Sequence, residues 1–112
     1  ACAVAMMGGP TEEIVTAMTL CMKNVLGLVC DPVAGLVEVP CVKRNGIYAV
    51  HALAAAEMAM AGLRSRIPPD EVIGAMDSIG RALPEALRET SEGGLAKTKT
   101  GMEITNRLAH RK

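Results

Sequence analysis

Aromatic side chains are almost absent from this 112-residue sequence: Tyr48 is the only one, and there is no Phe or Trp. Without large rings, a core has to be built from Ala, Val, Leu, Ile and Met, a set that favours closely packed helices. Charge of one sign is missing too. Lys plus Arg and Asp plus Glu both count 12, for a formal net charge of zero, so there is no electrostatic footprint for nucleic acid or for an anionic membrane. Gly, Pro or charge breaks every apolar run before the roughly 20 residues that a membrane span needs, and no charged segment followed by a secretory apolar segment is seen. These absences point to the cytoplasm. The sequence opens at Ala1 without an initiator Met, in ACAVAMM, which reads as the end of a helix and raises the expectation of a piece cut from a longer chain.

Half of the residues are hydrophobic, enough for one small domain over residues 1–112. After Gly8-Gly9-Pro10, Thr11 is placed to cap a helix with Glu12 and Glu13 in its first turn. Ile14, Met18, Cys21, Met22 and Val25 repeat at helical intervals, and the helix is expected to stop near Gly27. LVCDPVAGLVEVP, residues 28–40, is apolar yet punctuated by Asp31-Pro32, Gly35 and Pro40, so it reads as a buried irregular loop with a brief extended piece over Leu36–Val39. Asn45 to Gly62, rich in Ala and Met, is expected to be the central helix, packed on most of its surface. Pro68-Pro69-Asp70-Glu71 opens a further helix with Val72, Ile73, Met76 and Ile79 on one face, and Pro84 begins a short element. Ser91 to Gly101 reads as a loop, and residues 102–112 as a polar tail, either a frayed helix or disordered. The fold class is all-α: a compact bundle of four to five helices with an irregular apolar loop bearing Cys30 and Cys41. The eight methionines are core fillers first.

Four cysteines would allow two disulfides, but nothing else suggests a secreted, loop-rich scaffold, so reduced thiols or metal ligands are the better reading. Cys30 and Cys41 lie eleven apart and bracket the apolar loop. Thiolates select soft metals and iron-sulfur clusters, yet this interval is no recognised ligand spacing, and on spacing alone buried or free thiols are the favoured reading.

The wording of the segment narrows the choice. GLVCDPVAGLVEVPCVKRN resembles the signature of the alpha chain of bacterial iron-sulfur L-serine dehydratases, and the likeness runs on through IPPDEVIGAM and LPEALRETSEGGLAKTKTG, over nearly the whole chain. It looks most like the two-subunit form, which implies a separate beta subunit as partner. In that family three cysteines hold a 4Fe-4S cluster. The resemblance assigns two of them to Cys30 and Cys41 and places the third in a glycine-rich motif upstream of residue 1. It leaves Cys2 and Cys21 without a ligand role, so both are read as structural. Three cysteine ligands leave one iron open, which can act as a Lewis acid on the hydroxyl of L-serine. A base removes the Cα proton, and the aminoacrylate goes through an imine to pyruvate and ammonia. No pyridoxal phosphate is implied.

The catalytic base is not identified, and it and the carboxylate-binding residues are expected upstream. Asp31 is either support for Cys30 or the cap of the turn before Pro32, with the turn favoured. Of Lys43, Arg44 and Asn45, either Asn45 caps the next helix with the two cations solvated, or one of the three binds substrate carboxylate. His51 reads as a satisfied core or interface histidine. It and Ile47-Tyr48 depart from the small residue usual near that helix start in the family, which puts substrate contacts from this helix in doubt. His110 has no role, and Ser91-Glu92-Gly93-Gly94 reads as a plain connection. Two other functions stand beside the dehydratase: a related cluster enzyme that eliminates sulfide from cysteine, and a non-catalytic helical docking module. The piece alone is expected to be inactive and, through exposed apolar surface, to self-associate.

Overall fold

Proline and glycine mark most helix boundaries in the computed structural model, which describes residues 1–110. The helices are α1 (Cys2–Met6), α2 (Thr11–Lys23), α3 (Cys41–Met60), α4 (Pro69–Ala82) and α5 (Lys99–Ala109), with short 3₁₀ turns at Val33–Gly35, Glu85–Leu87 and Gly94–Lys97. No strand occurs among the described residues, only an isolated parallel bridge between Cys30 and Arg88. The fold is all-α, as the composition implied. No helix among the described residues is long and apolar enough to cross a membrane. The chain divides into two compact units: Ala1–Gly27 with Ile47–Arg81, and Leu28–Gly46 with the chain from Ala82 onward.

In the first unit the alanine-rich sequence does what its lack of aromatics suggested. Val4, Ala17, Leu20, Ala55, Ala56 and Ala59 form the core, with Ala3, Ile14, Cys21 and Met58 packed around it. Short side chains let the helix backbones come close. Gly9 belongs to this close packing, since a Cβ there would meet the Val4 side chain and lie 2.6 Å from Met60 Sδ. The first helical residue of α2 is Thr11, not its cap; Pro10 takes the cap position with extended backbone (φ −70°, ψ 167°) and no side chain closes that end. Glu12 and Glu13 do fill the first turn, and Arg64 reaches both, at 3.2 and 2.7 Å. α4 begins at Pro69 with Asp70 and Glu71 in its first turn, as expected. Of its proposed apolar face Val72 is buried, whereas Ile73 and Ile79 stay exposed.

Two expectations for α3 are corrected. It starts at Cys41, ahead of Asn45, because Pro40 supplies the start and Lys43, Arg44 and Asn45 are all tolerated in a first helical turn. Nor is it packed on most of its surface. Cys41, Arg44, Tyr48, His51, Ala55 and Ala59, spaced three and four apart, are buried or half-buried, whereas Ile47, Val50 and Leu53 are 68, 65 and 56% exposed.

The second unit differs from its sequence reading at both ends. Val37 to Pro40 turns instead of extending, and only Leu36 keeps extended backbone (φ −102°, ψ 139°). Of the expected loop only Lys99–Gly101 is α-helical; with the tail through Ala109, read as a frayed helix or disordered, it forms α5, packed on Val33–Gly35. Thr98 caps it, accepting from Gly101 N–H at 3.1 Å while its own hydroxyl donates to Leu95 O at 2.8 Å. Gly101, Ile104 and Leu108 form its inward stripe. The last two residues of the expected tail, 111 and 112, lie outside the described residues. Pro84 leads into the turn Glu85–Leu87 as expected.

Candidate functional site

Cys30 sits where the chain leaves irregular structure for a single rung of β-pairing. Its N–H donates to Leu87 O at 2.9 Å, and its carbonyl accepts from Glu89 N–H at 2.7 Å. The backbone on either side of the thiol is therefore held, which an isolated loop would not provide. Cys41 is the first residue of α3, just after a cis Val39–Pro40 peptide. Between them the chain closes on itself: Val33 N–H donates to Val39 O at 2.9 Å, and Val42 N–H to Val37 O at 3.0 Å. Both cysteines are half-buried free thiols in the same unit. Burial, first of all, pushes the Cys30 thiol above its ordinary pKa; negative charge at Glu89, Cys41 and Asp31 adds to this, and Arg44 opposes it.

Asp31, beside Cys30, is the buried charge of this unit, 2% exposed. One carboxylate oxygen accepts from Arg44 Nη1 at 2.6 Å and the other from Leu95 N–H at 2.7 Å. Burial alone would raise its pKa, but the Leu95 N–H and the Arg44 guanidinium outweigh burial and hold the carboxyl below the usual carboxylate range. Arg44 Nη1 also donates to Val29 O at 3.1 Å. Gly94, in the left-handed region (φ +54°), lies so close that a Cβ there would collide with the Asp31 carboxylate. Ser91 completes the attachment: its hydroxyl donates to Pro32 O at 2.6 Å and accepts from Gly35 N–H at 3.1 Å.

Of the residues singled out from the sequence, Arg44, one turn beyond Cys41, reaches Asp31 beside Cys30, while Lys43 and Asn45 are exposed. Asn45 lies within α3 and is not its cap. Asp31 makes long-range bonds to two other segments, more than the local turn favoured for it. His51 is a satisfied histidine, its Nε2 3.1 Å from the Cys21 carbonyl. Cys2 is exposed and Cys21 half-buried, neither near a second ligand set: among the described residues no group of three or more His, Cys, Asp or Glu converges as a metal site. Sequence reasoning missed Ser91, Gly94 and Leu95, which were read as a plain connection. The available signal was a Gly-Gly pair beside a polar cluster, marking a backbone that approaches something closely.

A family model, Serine dehydratase alpha chain, matches residues 1–96. The chain belongs to this family. Among curated relatives, a probable L-serine dehydratase alpha chain of Bacillus subtilis is 60% identical over 105 residues, covering 94% of this chain and 35% of that protein. A protein of the same description from Latilactobacillus sakei is 61% identical over 104 residues, covering 93% of this chain and 50% of that one. The L-serine dehydratase alpha chain of Peptoniphilus asaccharolyticus is 50% identical over 101 residues, 90% of this chain and 35% of its own. This chain therefore spans between 35 and 50% of the length of these relatives. No solved structure matches it.

Proposed function

We propose that this chain is the cluster-binding part of a cytoplasmic L-serine dehydratase, supplying two of three cysteine ligands to a 4Fe-4S cluster within a longer alpha chain that works with a beta subunit. The observation that carries the proposal is the closed loop between Cys30 and Cys41, both in one unit, in a chain 60% identical to a probable L-serine dehydratase alpha chain. The donor set suits the group, since two free thiols, soft and half-buried, are what an iron-sulfur cluster takes. When bound with one iron left open, the cluster supplies a Lewis acid for the departure of a hydroxyl group.

This chain's own residues act around that chemistry. Cys30 and Cys41 would hold two of the irons. The rung to Leu87 and Glu89 fixes one thiol, and the first turn of α3 fixes the other. Asp31, neutralised by Arg44 and Leu95 N–H, keeps its charge engaged with protein groups beside the thiols. Its held ionised form makes it unsuited to serve as the proton donor near neutral pH. The third cysteine, the base for the Cα proton and the groups for the substrate carboxylate are assigned to sequence beyond residues 1–112. The exposed Ile47, Val50 and Leu53 on α3 favour a docking role alongside ligation, with the rest of the alpha chain as the covering partner.

The test is pyruvate formation from L-serine by the full-length alpha chain with its beta subunit, reconstituted anaerobically with iron and sulfide, beside a Cys41→Ser control. Activity that needs both reconstitution and Cys41 supports the dehydratase. Turnover of L-cysteine with none of L-serine moves the assignment to sulfide elimination, and a Cys41→Ser protein with full cluster content overturns it.

A further inference from the structure

We infer that Arg44 is a positioning residue that sets the spacing of the Cys30–Cys41 thiol pair; its functional consequence rests on the cluster-binding reading above. Arg44 lies three residues beyond Cys41 in the same helix, and its N–H donates to Pro40 O at 3.1 Å, so its backbone is rigidly tied to that cysteine. Its Nη1 donates to Val29 O at 3.1 Å and to Asp31 Oδ1 at 2.6 Å, the two residues that flank Cys30. One guanidinium therefore grips both neighbours of one cysteine from a point one turn past the other.

The far end of the grip is itself immobile. Asp31 is buried, its second oxygen takes Leu95 N–H at 2.7 Å, and Gly94 packs against its carboxylate, so Asp31 has no alternative place to swing. A clamp fixed at both ends transmits geometry, which is what a pair of ligands needs from its surroundings. Lysine in place of Arg44 keeps the charge, but its compact ammonium lacks the rigid planar fork and holds two acceptors less well. With Nη1 taken by two protein acceptors, that end of the guanidinium is committed to the protein.

The experiment uses the full-length alpha chain with its beta subunit and the variants Arg44→Ala, Arg44→Lys, Asp31→Asn and Cys30→Ser. Its first readout needs no cluster: the reduced, iron-free protein is titrated with phenylarsine oxide, which bridges two neighbouring thiols. Wild type should bind the reagent through Cys30 and Cys41, and Cys30→Ser should bind it more weakly, through Cys41 and the third cysteine of the set at most. Arg44→Ala should weaken it by about tenfold or more, the affinity equivalent of one charge-assisted hydrogen bond, with Arg44→Lys in between. The second readout is iron per chain after reconstitution and its rate of loss in air. Arg44→Ala should hold less iron and lose it faster, while the KM for L-serine of the loaded fraction stays unchanged.

Wild-type arsenical affinity in Arg44→Ala, or no Cys30-dependent binding in wild type, overturns the inference. So does normal iron content with a raised KM, which would make Arg44 a substrate contact. Arg44-dependent arsenical binding in a protein that takes up no iron sustains the positioning role and removes the cluster reading instead. Should Arg44→Ala not fold, Arg44→Lys and Asp31→Asn carry the same comparison, and both behaving as wild type in both readouts would overturn it.

Discussion

The two units of this chain are built on different principles. In the first, the interior is aliphatic, with three alanines of α3 fully buried against Val4, Ala17 and Leu20, and its buried hydroxyl at Thr19 simply donates to Val15 O one turn back. In the second, the most deeply buried side chain is a carboxylate. Among the described residues, all three non-glycine residues with positive φ, Ala34, Glu89 and Ser91, also belong to this second unit. Left-handed backbone costs about 1–2 kcal/mol per residue away from glycine, and such strain persists only where surrounding contacts hold it. The contrast teaches which part stores stability and which part shapes a site. Burial of methyl groups settles the helices of one unit, whereas hydrogen bonds to Asp31 and Ser91 bend the other around Cys30.

The sharpest way to break that comparison is Gly94→Ala. The new Cβ would enter the space of the Asp31 carboxylate at a backbone position with φ +54°. The left-handed penalty, ~1–2 kcal/mol, adds to the loss of a charged hydrogen bond, ~1.5–3 kcal/mol, giving a destabilisation of about 2.5–5 kcal/mol. Hydrogen exchange on the full-length chain should show it as faster exchange at Leu95 and Cys30, with the amides of α2 unchanged. Equal loosening of α2 would mean that the two units share one cooperative transition and that the contrast drawn here is only one of composition.

How much of each unit was legible beforehand follows from the same contrast. The helices of the first could be read because apolar spacing and proline punctuation report packing directly: Pro69-Asp70-Glu71 opens α4 as read, and the alanine-rich segment is a helix. The extent of α3's burial was not legible, since Ile47, Val50 and Leu53 look like core letters and their exposure depends on what lies against them. In the second unit the two cysteines, Asp31 and Arg44 were legible as candidates from the wording of one segment. Their arrangement was not, because the groups that fix it, Leu95 N–H, the Leu87 carbonyl and the missing side chain of Gly94, are backbone features with no letter of their own. α5 was legible only as one of two readings of the tail, a frayed helix or disorder, because Thr98 caps it from within a lysine- and glycine-containing stretch that reads as loop.

A smaller effect of the opposite location sharpens the comparison. Ala56→Leu, at a fully buried position of the first unit, should overpack the alanine core at about 2 kcal/mol. Thermal unfolding should register it, and arsenical capture by Cys30 and Cys41 in the folded protein should not. Loss of capture in Ala56→Leu would show that the alanine core, not the Asp31 anchor, sets the thiol geometry.

The smallest effect tests whether charge matters in the first unit as it does in the second. Arg81 pairs with Asp77 at 2.8 Å across one helical turn of α4, with side chains 79 and 62% exposed. Water screens such a pair and both side chains give up rotamer freedom to make it, so Arg81→Ala should cost about 0.3–0.5 kcal/mol. Since the pair is exposed, even this difference should fade when the thermal midpoint is measured in about 1 M salt, where the screening length shrinks to roughly 3 Å. The Asp31–Arg44 pair is shielded on its carboxylate side, so the stability lost in Asp31→Asn should persist at the same salt. If both losses vanish together, the buried carboxylate is no better insulated than the exposed one, and it is the bent backbone rather than the charge that distinguishes the second unit.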